Sequence, residues 1–543
     1  MSFGAWVEGL RRWVRDVVEA PPAPPAPRDV VVKGEPVDWF TPAPAGDRAL
    51  GLVDLLEGAG PGAGAGAAAA AWEIRATLAT LPRRELARVD EEVRRALRHW
   101  PRDRLDWLTR PAWVRWEYPT AAAPWVLGLI SFHPSGFTRE VAVRRLAELT
   151  GGDELPFLLL RANDWVEPVR RHAAGAVRAR LVPENAALLV RELPLVLRLR
   201  ESGRGGHAPL VEAVLALLGT PDARPALLAG LDSGDAPVRR ACFQVLAGAG
   251  EGLREVVQLG LRSADPVVRR RAACEAPRLD DAALAELVPA MMRDGSAAVR
   301  LEAALLARRI GADGERWLRE AAFDRNATVR AAGRAALSPG SPKDFAGEYR
   351  AVLESVGGPR VGALLGLGET GGGLRDAVLV AGFRGDWITR VREAAVEALA
   401  RLERADLVSL LAPLLGDPSR RVSRAARVAL ERHAAAVDEG LLAELFAADR
   451  PAHVRCSALA LLARRTKWEA LPWILRALAD ADPAVAADAR AWLSRWRTRF
   501  NRSFVAPAPD QLARAAAALR DAGGSVDGET RDWLRTVLPG DTA

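Results

Sequence analysis

Apolar residues recur at steps of three and four through most of this chain, and a short polar signal interrupts them at nearly constant intervals. From Ser263 to Ala273 the sequence reads Ser-Ala-Asp-Pro-Val-Val-Arg-Arg-Arg-Ala-Ala. Asp265 has the side chain of a helix N-cap, and Pro266 suits the first helical position, where no backbone N–H is needed. Val268, Ala272 and Ala273 then share one face, small enough for a neighbouring helix to come close. The pattern returns from Asp235, Asp294, Asp324 and Asp386 and from Arg450. Its marker valines are Val169, Val238, Val268, Val299, Val329, Val391, Val422, Val454 and Val485, spaced by 69, 30, 31, 30, 62, 31, 32 and 31 residues. Of the two long gaps, Val361 splits the second and a degenerate unit near Pro209 splits the first, and Thr138-Arg139 extends the register backwards. A fixed period of this kind predicts a solenoid of about twelve helix pairs over residues 133–499. The first helix of each pair, helix A, carries the marker. The second, helix B, is clearest at 281–291, 405–411 and 470–475.

The flanks are written differently. Residues 1–46 read as an arm: an amphipathic helix with Phe3, Trp6, Leu10 and Trp13 on its apolar face, then a stiff Pro/Ala linker from Pro21 to Pro27, then a second apolar spot at Trp39 and Phe40 between Pro36 and Pro42. These six apolar residues are the candidate partner contacts. Residues 47–132 are helical but off the repeat, with a Gly/Ala tract from Gly58 to Gly66. Ten of the seventeen tryptophans lie at or before Trp165, so this block is read as a Trp-rich N-terminal cap closing the exposed end of the stack. Residues 500–543 form C-terminal capping helices, with Trp533, Leu534 and Leu538 facing the last repeat.

Composition changes the picture little. Of 76 basic residues, all but Lys33, Lys343 and Lys467 are Arg. That lopsidedness, beside so much Ala and Gly, has the look of GC-rich coding bias, so the net charge of +7 is weak support for a nucleic-acid partner. Cys242, Cys274 and Cys456 form no CxxC and no even framework, which points to small buried thiols and a cytoplasmic, reducing compartment. The longest apolar run, Ala121 to Phe132, is too short to span a membrane, and charges through the N-terminus exclude a secretory signal.

The motif Asp-Pro-x-Val-Arg-x-x-Ala-x-x-Ala-Leu, seen from Asp265, with a helix pair every 31 or so residues, resembles the HEAT-like repeats of phycobilisome-lyase type common in bacterial proteins. That resemblance implies an all-α HEAT-like solenoid. It spans several functions: bilin lyases, metal-dependent hydroxylases, alkylpurine DNA glycosylases and scaffolds without chemistry.

The Arg after the marker Val stands in seven units, as Arg170, Arg239, Arg269, Arg300, Arg330, Arg392 and Arg455. A ladder of Arg suggests phosphate binding, but Asp235, Asp265, Asp294 and Asp324 repeat along with it. The ladder therefore reads as repeat-locking, each Arg pairing with the capping Asp of an adjacent unit. The hydroxylase relatives hold iron with His-Glu pairs; this chain has none, and His99, His133, His172, His207, His433 and His453 are scattered. No metal, no cofactor and no catalytic group is expected. The glycosylase relatives use an aromatic cleft with a carboxylate, for which Asp106-Trp107 and Asp164-Trp165 are the dipeptides on offer. Thr370-Gly-Gly-Gly373 has the glycine of a phosphate loop without its Lys-Ser/Thr. Arg495 to Phe504 is a basic-aromatic run, read as aromatics turned inward and Arg outward.

Charge also layers along the repeats. Arg269, Arg270 and Arg271 face only Glu275 on helix A, whereas Asp438, Glu439, Glu444 and Asp449 meet no cation on helix B. If the B helices line the concave side, as the resemblance implies, that side favours an apolar or basic protein ligand and disfavours DNA. The expected function is a non-enzymatic scaffold or adaptor for a protein or peptide. The second reading is a nucleic-acid-binding protein of the DNA-glycosylase kind.

Overall fold

A computed structural model describes residues 47–60, 66–98, 117–201, 207–339, 343–402, 405–502 and 504–538. Phe3, Trp6, Leu10, Trp13, Trp39, Phe40 and the rest of the arm lie outside the described residues, as do His99, Trp100, Asp106, Trp107, Trp113 and Trp116. Among the described residues all regular structure is α-helix or short 3₁₀ turn, and the fold is an all-α solenoid of stacked helix pairs. No helix described is long and apolar enough to cross a membrane. By its internal contacts the chain divides into two compact units, Met1–Leu287 and Val288–Ala543.

In the first unit the helices Asp47–Gly58, Ala67–Ala79, Arg83–Arg98 and Ala123–Ile130 precede the pairs. They share one continuous apolar core with the repeats, running from Ala49 to Ala272. Trp125 is buried in it, edge-on to Phe157 with ring centroids 5.6 Å apart. Helix Pro266–Glu275 shows how the repeat is written: Asp265 accepts the Val267 N–H at 2.9 Å, Pro266 starts the helix, and Val268, Ala272 and Ala273 are buried. Cys274, next in sequence, turns outward and is exposed, which corrects the reading of three buried thiols; Cys242 is buried and Cys456 half-buried.

In the second unit helices Thr389–Arg401, Arg420–Leu430, Ala452–Leu462 and Pro483–Arg499 pack one on the next, the stacking that makes a solenoid. The degenerate repeat at Arg360–Thr370 is Gly-rich for a packing reason. A Cβ on Gly362 would lie 1.8 Å from the Phe323 carbonyl oxygen, and one on Gly366 would lie 2.3 Å from the Tyr349 ring. Only glycine lets this helix sit so close to its neighbours. At the C-terminal end, helices Pro509–Ala522 and Gly528–Val537 close over Trp468 and Trp496, with Leu534 and Leu538 buried in the same cluster.

Candidate functional site

Arg300 defines the repeating polar geometry. Its Nε and Nη2 donate to the two carboxylate oxygens of Asp324 at 2.6 and 2.9 Å. Its Nη1 donates to the carbonyls of Asp294 and Gly295 at 2.8 and 3.1 Å. One guanidinium thus closes the turn before its own helix and reaches the turn before the next A helix. Asp324 holds that second turn, because its Oδ1 also accepts the Asn326 N–H at 2.7 Å. The fork recurs at Arg392–Asp417, with bonds of 2.9 and 3.0 Å, and singly at Arg455–Asp480, at 2.8 Å. It also stands at Arg139–Asp164, at 2.9 and 2.8 Å, in the unit before Arg170.

Several repeat residues behave otherwise. Asp294 and Asp324 are not N-caps: they sit two residues ahead of the capping Ser296 and Asn326, and Asp294 accepts the Ser296 N–H at 2.7 Å. Asp235 occupies an N-cap position but makes no side-chain bond to its helix and has no guanidinium partner among the described residues. Asp265 is displaced two residues along its turn, with Ser263 in the place six residues before Arg269. Its carboxylate therefore meets Arg240 at 2.8 and 3.3 Å, while Arg239 stays 3.7 Å away. Arg269 donates to the Ser263 and Ala264 carbonyls at 2.9 and 3.2 Å. Arg330 turns to Glu369, which also accepts from Arg334 at 2.9 Å. Arg170 donates to the Asp164 carbonyl at 2.7 Å and has no carboxylate partner among the described residues. Units lacking the Arg fill its place differently: Ser423 bonds the Leu415 carbonyl at 2.7 Å and Ser457 at 2.9 Å.

Asp164-Trp165 borders an open cavity of about 590 Å³ lined also by Asp90, Arg94, Arg161 and Arg198. Trp165 is 59% exposed, with the Arg139 guanidinium 5.4 Å from its ring centroid. Asp164 is buried and fully engaged, accepting from Arg139, from Arg161 at 3.1 Å and from the Val166 N–H at 2.9 Å. Burial alone would raise its pKa; the bond from Arg139 and the Arg161 charge outweigh that and hold it below the ordinary carboxylate value. A general base needs a lone pair aimed at its substrate, and these donors take up the Asp164 oxygens. Nearby, His133 is buried beside Arg139, and burial followed by that charge pushes its pKa down to about 4.

The glycine run holds an anion of the protein's own. Gly372 N–H donates to Asp376 at 2.8 Å, and Arg350 grips the same buried carboxylate at 2.6 and 3.3 Å. His172 lies beside Glu140 and His453 beside the Asp417 carbonyl. Among the described residues no group of His, Cys, Asp and Glu is arranged to hold a metal ion. In the run from Arg495, Trp496 is buried against Trp468, Phe500 and Trp533, Arg495 and Arg499 face outward, and Phe504 is 96% exposed, so that last aromatic departs from the inward reading.

No protein-family model matches the chain, and no curated protein is similar to it in sequence. Solved structures with a related build include importin-β crystallised in ammonium sulfate (14% identity, TM-score 0.37, 87% of this chain and 65% of that one). Others are yeast importin-β, Kap95p (14%, 0.37, 84% and 67%), and Kap121p bound to Pho4p (14%, 0.33, 98% and 57%). This chain spans a little under two thirds of the length of the first and over half of the last. At these identities and scores the likeness carries no argument about ligands.

Proposed function

We propose that the chain is a non-enzymatic scaffold or adaptor, of the bacterial HEAT-like kind, that holds a protein or peptide partner on its helix surfaces in the cytoplasm. One observation supports this reading above others. Buried ion pairs such as Arg139–Asp164 and Arg300–Asp324 join one turn or helix of the stack to another, and the buried Asp376 is held across the stack by Arg350. The polar chemistry inside the stack goes into holding helix pairs together, and the outward helix faces are left for recognition. The arm residues Phe3, Trp6, Leu10, Trp13, Trp39 and Phe40 are proposed as further contacts, since a tethered apolar peptide suits docking in a helix groove. The repeat-locking role of the Arg ladder belongs to the same proposal. The test is affinity capture of the full chain from its native cells, with proteins identified by mass spectrometry and nuclease-treated samples in parallel. Reproducible recovery of one protein that survives nuclease supports the scaffold; recovery of nucleic acid alone overturns it.

A further inference from the structure

Two adjoining hollows lie along helix Pro483–Arg499 near the C-terminal end of the second unit, one facing the turn after Ala452–Leu462 and the B helix Lys467–Leu478, the other facing two further A helices. One, of about 440 Å³, is lined by Arg464, Arg465 and Lys467 on one side and by Arg495 and Arg499 on the other, with no carboxylate. The second, of about 400 Å³, takes Arg420, Arg424 and Arg427 with a single carboxylate, Asp488. Both include Trp492 and Arg495, so they form one groove that crosses the A helices Arg420–Leu430, Ala452–Leu462 and Pro483–Arg499 and reaches the B helix Lys467–Leu478.

Two of the three nearby acids are already taken, and the third, Asp488, is exposed beside Cys456. Glu431 binds Arg427 and, at 2.6 Å, Arg464; Glu439 lies 3.4 Å from Arg465. Arg420, Arg424, Arg495 and Arg499 are exposed and have no ion-pair partner among the described residues. This sets them apart from the forks at Arg300 and Arg392, where each guanidinium meets its own carboxylate. Converging like charges repel one another, and an anion in the groove adds attractions that offset that repulsion.

The tryptophans decide which anion. The guanidinium carbons of Arg464 and Arg495 lie 5.0 and 4.9 Å from the Trp492 ring centroid. Cation–π contact holds these two long side chains in place before a ligand arrives, which lowers the ordering cost of binding. The same contacts put the protein's own cations over the Trp492 ring, and Trp496 is packed inside against other aromatics. A base stacking on Trp492 would therefore compete with these guanidiniums for the ring, whereas single-strand binders rely on open rings. Guanidiniums presented along a narrow groove suit discrete carboxylates or phosphates taken in forked pairs.

We infer that this groove binds an acidic peptide segment of a partner protein. The inference rests on the scaffold reading and adds the charge and the surface. It also contrasts with the basic or apolar ligand that the charge pattern suggests for the B-helix side. The test is fluorescence anisotropy of the full chain with a labelled oligoglutamate peptide, with a phosphoserine peptide of equal charge and with duplex DNA. Oligoglutamate is expected to bind, more weakly as salt rises. The triple variant Arg424→Gln, Arg495→Gln, Arg499→Gln should lose about tenfold or more in affinity. Its helical circular dichroism and melting should match the wild type, and Arg319→Gln, on a different helix, should bind like the wild type. Arg495→Lys, which keeps the charge but loses the fork and the contact with Trp492, should bind between the wild type and the triple variant with unchanged melting, which separates a weakened site from a lost fold. Stronger binding of the phosphoserine peptide assigns phosphate as the preferred group, and equal binding assigns carboxylate; both support the groove. Equal oligoglutamate binding by wild type and triple variant overturns it, as does duplex DNA binding tightly at physiological salt and lost in the triple variant. The scaffold reading fails on a different result, the absence of any protein partner for the full chain.

Discussion

Replacing Arg300 tests the inter-repeat fork where its geometry is most complete. Both side chains are nearly buried, 6% exposed for Arg300 and 9% for Asp324. Arg300→Met removes the fork to Asp324 and the bonds to the Asp294 and Gly295 carbonyls, and it strands a buried carboxylate. Breaking such a pair costs about 3 kcal/mol. Asp324→Asn keeps an oxygen for the Asn326 N–H while removing the charge, and should cost about 2 kcal/mol. The double variant has no charge left to strand, so its loss should stay near about 3 kcal/mol, a coupling of about 2 kcal/mol. Global unfolding is a poor probe in a long array with two compact units. Amide exchange followed by mass spectrometry reads helices Ala297–Ala307 and Ala327–Leu337 directly. About 3 kcal/mol corresponds to roughly a hundredfold faster exchange there. Arg319→Gln, whose partner Glu315 is exposed, should leave the same peptides unchanged. Exchange within about twofold of wild type in Arg300→Met, or strictly additive single variants, would refute the fork as a lock.

Three further outcomes are expected. His133 falls from an ordinary pKa of 6.5 to about 4 on folding, so between those values the unfolded chain binds a proton that the folded chain refuses. Stability should fall as pH drops through that window, by roughly 3 kcal/mol. His133→Asn should flatten that part of the denaturation-versus-pH curve, and an unchanged slope would contradict it. Gly362→Ala should lose about 1–3 kcal/mol by driving a methyl into the Phe323 carbonyl. Gly175→Ala, in helix Glu167–Arg178 with open space around it, should gain up to about 1 kcal/mol; local exchange of each helix checks both signs. Deleting residues 1–46 should lower partner capture or melting temperature, and no change in either would remove the arm from the proposed contacts.

The stacking of helix pairs was legible because one polar signal returns at a near-constant spacing on an apolar background. The partner of each Arg was less so. The sequence reading paired each Arg with the capping Asp of an adjacent unit, yet the Asp that Arg300 meets, Asp324, lies two residues ahead of the cap, Asn326. A unit that has lost its Arg still supplies the Asp: Asp417 precedes Ser423 by six residues, as Asp480 precedes Ala486. Arg139 was marked by the register at Thr138, but nothing local marks Glu369 as the partner of Arg330, since it lies 39 residues away at the far end of a Gly-rich helix. The two-residue shift of Asp265 is visible in the sequence, whereas its effect, a switch from Arg239 to Arg240, depends on where the turn places the carboxylate. The basic groove shows the same limit. The run from Arg495 stands out, but Arg420 and Arg424 join it only once three A helices are stacked. Cys274 was misjudged because it directly follows two buried alanines, and at 100° per residue the next position leaves their face.

The central claim is that this chain acts by holding another protein, and crosslinking mass spectrometry of the full chain in extracts of its native cells, at physiological salt and after nuclease digestion, tests it most directly. The account predicts one recurrent protein partner, with acidic peptides crosslinked to helices Arg420–Leu430 and Pro483–Arg499 and lost in the Arg424, Arg495 and Arg499 triple variant. Crosslinks that vanish with nuclease, leaving nucleic acid as the only bound material, would contradict it.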